Sequence, residues 1–151
     1  MRNKLLTSTS AKHQGMKVKV EQVHDKLLLA LNGDSQTILM GWGEDNKIGF
    51  KPMEAVLACL AGCSMVDVVE IIRKMRRSIE RFFVEVSGER VDDYPRVFSK
   101  VKLTYVVYSR DLKPEELEKA VRLSMERYCS VAAMLRRGGV EITFSQEVRS
   151  S

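Results

Sequence analysis

The residues of this chain best suited to covalent chemistry are its three cysteines, Cys59, Cys63 and Cys129. Cys59 and Cys63 lie four positions apart, a spacing that places both thiols on nearly the same side of a helix. A redox pair needs one thiol that attacks an electrophile and a second thiol that reaches the resulting sulfenic acid. The sequence does not show that reach, and each cysteine has the alternative interpretation of a small buried hydrophobe.

The surroundings of the three thiols differ. Cys59 stands in an apolar stretch, residues 57–60, and we interpret it as a core residue. Cys129 falls near the start of the last predicted helix, where the helix dipole favours a thiolate. Cys63 and Cys129 are therefore the candidates for thiol chemistry.

A long helix over residues 52–77 must position Cys59 and Cys63. Pro52 suits the first helical position, Glu54 suits the first turn, and basic residues fill the last turn. From residue 55 to residue 65 the only polar side chains are Ser64 and the thiols, which predicts a buried helix rather than an amphipathic one.

The predicted helix is close to 40 Å long at roughly 1.5 Å per residue, so a single domain of this size hardly covers it on every side. Burial against a second copy of the chain is the natural completion. Its uninterrupted apolar run is about a dozen residues, whereas a bilayer span needs roughly 20, so we expect no membrane crossing.

Apolar alternation and turn residues predict the other elements. Before the long helix, they predict an antiparallel meander over residues 16–23, 26–31 and 36–40, with a hairpin at Asn32-Gly33, and then a Gly-rich loop over residues 41–50. After the long helix, they predict a hairpin of strands 82–87 and 97–108, a helix starting at Pro114, a short helix over 128–135 and a strand over 140–144. The class is α+β, with antiparallel sheets around a long buried helix. We expect residues 1–15 to be an extension, partly disordered or folded onto a partner, and residues 16–151 to be a single domain.

Composition bounds the function further. With 151 residues, 44% hydrophobic and 30% charged, the chain fits a soluble globular protein. The net charge of +5 is spread along the chain without a nucleic-acid motif, so a solvated basic surface is preferred over nucleic-acid binding. The odd cysteine count and a polar start argue against a secreted disulfide framework and favour a reducing cytoplasm.

Other candidate residues carry two interpretations each. Asp67 and Glu70 either support the thiols or form ion pairs where the helix leaves the core. Trp42 and Phe50 either line an apolar ligand pocket or anchor the loop by packing. No metal-ligand spacing of cysteines or histidines occurs, so we predict neither a metal nor another cofactor.

The segments KPMEAVLACLAGCSMVDVV, from residue 51, and YCSVAAML, from residue 128, resemble the OsmC/Ohr superfamily. The similarity is greatest to its less characterised OsmC-like branch, in which a Pro-x-Glu start precedes a Gly-Cys in the helix and Asp-Val-Val follows. It covers nearly the whole chain from residue 16. The resemblance implies an intertwined homodimer with the long helices at its centre and two sites at the subunit interface.

The same resemblance implies thiol-dependent reduction of organic hydroperoxides. Cys63 would be the peroxidatic thiolate and would become a sulfenic acid, and Cys129 would resolve it as a disulfide. An external dithiol, a dihydrolipoyl group in some members, would return the protein to its reduced form.

The sequence departs from the family at the residues that activate the thiol. The peroxidases of the family use an arginine from the N-terminal strands, held by a glutamate directly after the proline. In this sequence Met53 follows Pro52, and the carboxylate is Glu54. Asp67, one turn after Cys63, would oppose a thiolate unless it is itself paired. Substitute cations are available at four positions, namely Arg2, His13, Lys17 and Lys19. The alternative function is an OsmC-like dimer that binds a small molecule without efficient peroxidase activity.

Overall fold

The computed structural model describes residues 15–150 and divides the chain into two compact units that meet in sequence at Pro52 and Met53. The predicted α+β class is confirmed, with two three-stranded sheets and three α-helices. Apart from Gly15, the extension expected over residues 1–15 lies outside the described residues. The single domain expected over residues 16–151 stays a prediction.

The first unit is an antiparallel meander of β1 (Val18–His24), β2 (Leu27–Asn32) and β3 (Thr37–Gly41), as the sequence predicts. Its second hairpin is fixed by Asn32, whose side-chain oxygen accepts hydrogen bonds from the backbone N–H groups of Asp34 at 3.0 Å and Gln36 at 2.9 Å. Such bonds from an asparagine side chain to the following backbone stabilise a turn. Every residue of β1 is exposed within this unit.

The second unit holds a sheet of β4 (Arg81–Arg90), β5 (Phe98–Tyr108) and β6 (Glu141–Arg149), with β5 in the middle. β4 pairs antiparallel with β5, but β6 pairs parallel to it. This parallel pair departs from the antiparallel sheets that we expected. Alternation identifies a strand but not its direction, and the helical segment between β5 and β6 provides the crossover that a parallel pair needs.

Three helices complete this unit: α1 (Pro52–Lys74), α2 (Pro114–Leu123) and α3 (Ser130–Arg137). One face of α1, at four-residue spacing, is fully buried and consists of Leu60, Ser64, Val68 and Ile72. These side chains share a core with the inward face of β5 and with α2, including the fully buried residues Leu103, Tyr105, Val107, Leu117 and Val121.

The opposite face of α1 is exposed within the single chain and consists of Ala58, Cys59, Gly62 and Val66. Within the single chain the helix is thus buried along one face only, and the interpretation of Cys59 as a core residue, which would need burial against a second copy, stays a prediction. By length and composition α1 is also long and apolar enough to cross a membrane, which corrects our argument from its uninterrupted run. The core helix of a soluble protein meets the same criterion, and α1 contributes one face to the core of its unit.

Candidate active site

The structure brings two of the three free cysteines together in the second unit. Cys63 lies on α1 at the margin of its buried face and is half-buried, whereas Cys129 is only 3% exposed. The two side chains are near enough for Cys63 to contribute to the raised pKa of the Cys129 thiol. We call Cys63 and Cys129 the thiol pair. Cys59 is exposed on the outward face of α1.

Cys129 owes its place to a change of helix type that the sequence pattern did not indicate. We expected one helix to continue from Pro114 to residue 128, but α2 ends at Leu123 and a π-helix, Ser124–Tyr128, follows it. The π-helix closes with a hydrogen bond of 2.8 Å from the Cys129 N–H to the Ser124 carbonyl. Cys129 then leaves the helical conformation and becomes the N-cap of α3, where its sulfur accepts a hydrogen bond of 3.4 Å from the Ala132 N–H.

Burial raises the pKa of the Cys129 thiol to about 11. The Ala132 N–H favours the thiolate and opposes this effect, while Cys63 and Asp67 add to the rise in pKa. The helix start does favour the Cys129 thiolate, as expected, but the cost of burying the charge exceeds the benefit from one N–H group. Cys129 is a protonated thiol at neutral pH.

A row of buried hydroxyl groups, Tyr105, Ser64 and Ser124, lies beside the thiol pair. We call these three residues the hydroxyl chain. The Ser64 hydroxyl is 2.6 Å from that of Tyr105 and 2.8 Å from that of Ser124. Ser124 also donates to the Asp67 carboxylate at 2.9 Å. Burial raises the pKa of Tyr105 to about 12, so its phenol keeps its proton at neutral pH.

The two acidic residues beyond Cys63 have different partners. Glu70 forms the expected ion pair, with Arg73 at 2.8 Å. Asp67 is half-buried and accepts the Ser124 hydroxyl hydrogen bond instead. It also lines a groove of about 420 Å³ together with Ile71, Lys74, Lys119, Leu123 and Tyr128.

The other predicted site residues are distributed over the two units, with Glu54 on α1 and the rest in the first unit or outside the described residues. Glu54 is exposed in the first turn of α1, nine residues and therefore about 13 Å along the helix axis from Cys63. Trp42 and Phe50 belong to the first unit, where they are 42% and 54% exposed, and both interpretations of them stay predictions. Lys17 and Lys19 also belong to the first unit, and Lys19 pairs with Glu21 at 2.8 Å. Arg2 and His13 lie outside the described residues.

A cation that sequence reasoning missed is Arg136, on α3. It is half-buried, donates a hydrogen bond to the Met125 carbonyl, and its charge acts on the buried Tyr105 phenol. The basic last turn of α3 is visible in the sequence, but its orientation toward the core depends on the π-helix that precedes it. Over residues 15–150 no three histidine, cysteine or acidic side chains are grouped to hold a metal ion.

Two three-stranded sheets, a long helix and a thiol pair shared between that helix and the crossover define an α+β protein of the OsmC-like class. The family model for OsmC-like proteins matches residues 43–145. The chain therefore belongs to the OsmC-like protein family, as the resemblance predicts, while its placement in a particular branch stays a prediction.

Known relatives span the chain almost completely. Protein YhfA of Escherichia coli K12 is 39% identical over 133 residues, covering 88% of this chain and 98% of its own length. The crystal structure of a hypothetical protein from Aquifex aeolicus is 29% identical, with a TM-score of 0.81 over 92% of this chain and 99% of its own. An organic hydroperoxide resistance protein OsmC from Legionella pneumophila shares the fold at 16% identity, with a TM-score of 0.68 over 89% of this chain and 98% of its own.

Proposed function

We propose that the protein is a thiol peroxidase that reduces organic hydroperoxides in defence against oxidative stress. The observation that carries the proposal is that the fold brings Cys63 and Cys129, which lie far apart in sequence, to the same part of the core, where Cys63 contributes to the raised pKa of Cys129. Membership of the OsmC-like family supports it, and so does the shared fold with the Legionella pneumophila organic hydroperoxide resistance protein OsmC.

The unequal environments of the two thiols assign their roles. Cys129 is buried and protonated, which disfavours it as the attacking group. Cys63 is the more exposed of the pair and attacks the distal oxygen of the hydroperoxide. The O–O bond breaks, the alcohol leaves with a proton, and Cys63 becomes a sulfenic acid.

Cys129 then resolves the sulfenic acid. Its sulfur bonds to the Cys63 sulfur, and the hydroxide that leaves takes the Cys129 proton and departs as water. One hydroperoxide and two thiols thus give one alcohol, one water and one disulfide. An external dithiol restores the pair by thiol–disulfide exchange, as a reducing cytoplasm would allow.

We also propose that the protein is a homodimer joined through the outward face of α1. Val66 on this face is 64% exposed in the single chain, and its neighbours Ala58 and Gly62 are small enough for close helix approach. Val66→Arg should produce a monomer in size-exclusion chromatography with light scattering. The control is Val91→Arg, at an exposed valine in the loop that follows β4, which should keep the wild-type mass. A wild-type monomer, or a dimer unaffected by Val66→Arg, would contradict this interface.

The peroxidase proposal is tested by mass spectrometry after one equivalent of cumene hydroperoxide. Wild-type protein should lose two hydrogens, mapped to a Cys63–Cys129 disulfide. Cys129→Ser should accumulate a sulfenic acid at Cys63 that dimedone captures, and Cys63→Ser should stay reduced. The matched control Cys59→Ser should behave as wild type. Unmodified wild-type thiols, or equal oxidation of all three cysteines, would refute the proposal.

The second candidate is an OsmC-like dimer that binds a small molecule without efficient peroxidase chemistry. The groove beside Asp67 favours it, since apolar Ile71 and Leu123 face it together with the cationic Lys74 and Lys119. Native mass spectrometry of the purified protein should then show a retained ligand, lost in Leu123→Arg, together with thiols that cumene hydroperoxide leaves reduced. A ligand-free protein would count against this alternative.

A further inference from the structure

We propose that Ser124 is a positioning residue that fixes Cys129 against Cys63. The inference rests on the proposed role of the thiol pair. Ser124 has no chemical step of its own in that reaction and acts through the position of Cys129. Ser124 is the first residue of the π-helix and is fully buried.

The side chain of Ser124 holds the part of α1 that carries Cys63. Its hydroxyl lies 2.8 Å from the Ser64 hydroxyl, 3.3 Å from the Ser64 carbonyl and 2.9 Å from the Asp67 carboxylate. Ser64 directly follows Cys63, and Asp67 is one helical turn further on. Ser124 therefore contacts α1 at two residues that follow Cys63 within about one helical turn.

The backbone of the same residue holds Cys129. The Ser124 carbonyl accepts the Cys129 N–H at 2.8 Å, which is the bond that closes the π-helix. An isolated π-turn is rare in proteins and is found frequently at functional sites. Here the turn ends with Cys129 in an extended conformation, ψ 105°, so that the thiol is directed by the N-cap geometry rather than by a continuing helix. Ser124 thus connects the backbones of both cysteine segments.

Because Ser64 and Ser124 are buried, breaking their hydrogen bonds would be energetically costly. Ser64 and Ser124 have no exposed surface, and a buried hydroxyl that loses its partners has no water to replace them. The single Ser124 proton is directed to the Asp67 carboxylate and, at a longer distance, to the Ser64 carbonyl, so Ser124 accepts from the Ser64 hydroxyl, and Ser64 accepts from Tyr105. This directed chain favours the arrangement in which all of these buried groups are hydrogen-bonded, and that arrangement places the Cys63 and Cys129 segments side by side.

The test measures the equilibrium of the thiol pair with glutathione, in the Cys59→Ser background. Oxidised glutathione gives up its disulfide bond and takes two electrons and two protons from Cys63 and Cys129, which form their own disulfide. The equilibrium constant is the effective concentration of one thiol at the other. Ser124→Ala should lower it at least about tenfold, because small displacements of paired reactive groups have large effects.

The matched control is Ser109→Ala. Ser109 is also a buried serine of the second unit, with bonds to Ser78, Asp111 and Leu112 and none to the hydroxyl chain. This variant should keep the equilibrium constant within about a factor of two, whatever its effect on stability. Ser124→Thr, which retains a hydroxyl, should recover most of the wild-type value. Circular dichroism verifies that each variant is folded at the temperature of the titration.

Ser64→Ala gives a second, independent measurement if Ser124→Ala does not fold. It removes one partner while Ser124 keeps its bonds to the Ser64 carbonyl and to Asp67, so the loss should be smaller and in the same direction. An unchanged constant in folded Ser124→Ala, or an equal loss in Ser109→Ala, would overturn the positioning role alone. A wild-type chain that forms no Cys63–Cys129 disulfide with glutathione would overturn the thiol pair itself. Failure of hydroperoxide turnover leaves this measurement unaffected, because the assay uses no hydroperoxide.

Discussion

The burial of Cys129 predicts a specific pH dependence for its alkylation by iodoacetamide. Its pKa is raised from 9.0 to about 11, chiefly because burial disfavours the charged thiolate. Only the thiolate reacts, so at pH 8 the reactive fraction should be about 100-fold lower than that of a thiol with the ordinary value. Physical exclusion of the reagent from a side chain that is 3% exposed should slow the reaction further.

The assay follows carbamidomethylation of Cys129 by peptide mapping from about pH 7.5 to pH 10.5. The reference is the same cysteine in the urea-unfolded chain, which removes differences in local sequence. In the folded protein the rate should rise about tenfold per pH unit over the whole interval, whereas in urea it should level off above about pH 9. Circular dichroism at each pH verifies that the folded samples stay folded.

The shape of the profile distinguishes the two causes of slow reaction. If exclusion alone protected Cys129, the folded protein would react more slowly by one constant factor and its profile would still bend near pH 9. That bend would refute the raised pKa. Equal rates in folded and unfolded chains would refute the burial of Cys129 and, with it, the assignment of Cys63 as the attacking thiol.

Three further predictions concern stability, each measured by urea or thermal unfolding. Between about pH 9 and pH 11 the free energy of unfolding should fall by up to about 3 kcal/mol more in wild type than in Cys129→Ser. The reason is that the folded state keeps a Cys129 proton that the unfolded state releases. Equal falls in the two proteins would contradict this prediction. Leu60→Ala, at a fully buried site, should lower the free energy of unfolding by about 2 to 5 kcal/mol. Val97→Ala, at a 49% exposed site, should change it by less than about 0.5 kcal/mol. Similar losses of stability in the two variants would contradict the assignment of Leu60 to the core. Gly88→Ala should cost about 1 to 3 kcal/mol, because its new methyl group would lie 2.7 Å from the ring of the buried Phe98, whereas Gly33→Ala meets no atom within 4 Å and should not destabilise the protein.

Local signals in the sequence identified most elements of the fold. Pro52 and Pro114 begin α1 and α2, Asn32-Gly33 begins the predicted hairpin loop, and the inward face of β5 carries Tyr105 as the alternation predicts. Each of these signals acts over a few residues, so each can be recognised without knowledge of the rest of the chain. The direction of β6 and the π-helix depend on contacts between distant segments, and no periodic pattern encodes them.

The candidate site was only partly predictable for the same reason. The sequence marked Ser64 as a polar exception in an apolar run, and the structure shows that both Ser64 and Ser124 are fully buried. Two buried hydroxyls need partners, but nothing local indicates that they are partners of each other. The family resemblance indicated the roles of Cys63 and Cys129, whereas the raised pKa of Cys129 depends on the surrounding core.

The parallel pairing of β5 and β6 has a consequence for the order in which the molecule assembles. Cys129 lies within the crossover between these strands, and Cys63 lies on a helix that leaves the ribosome much earlier. Contacts between such distant segments form late in folding, because the intervening chain must first be ordered. We expect the two thiols to meet only when the second unit is nearly complete. Nascent and unfolded chains would then be spared oxidation at this pair, and the disulfide would be a product of the finished molecule alone.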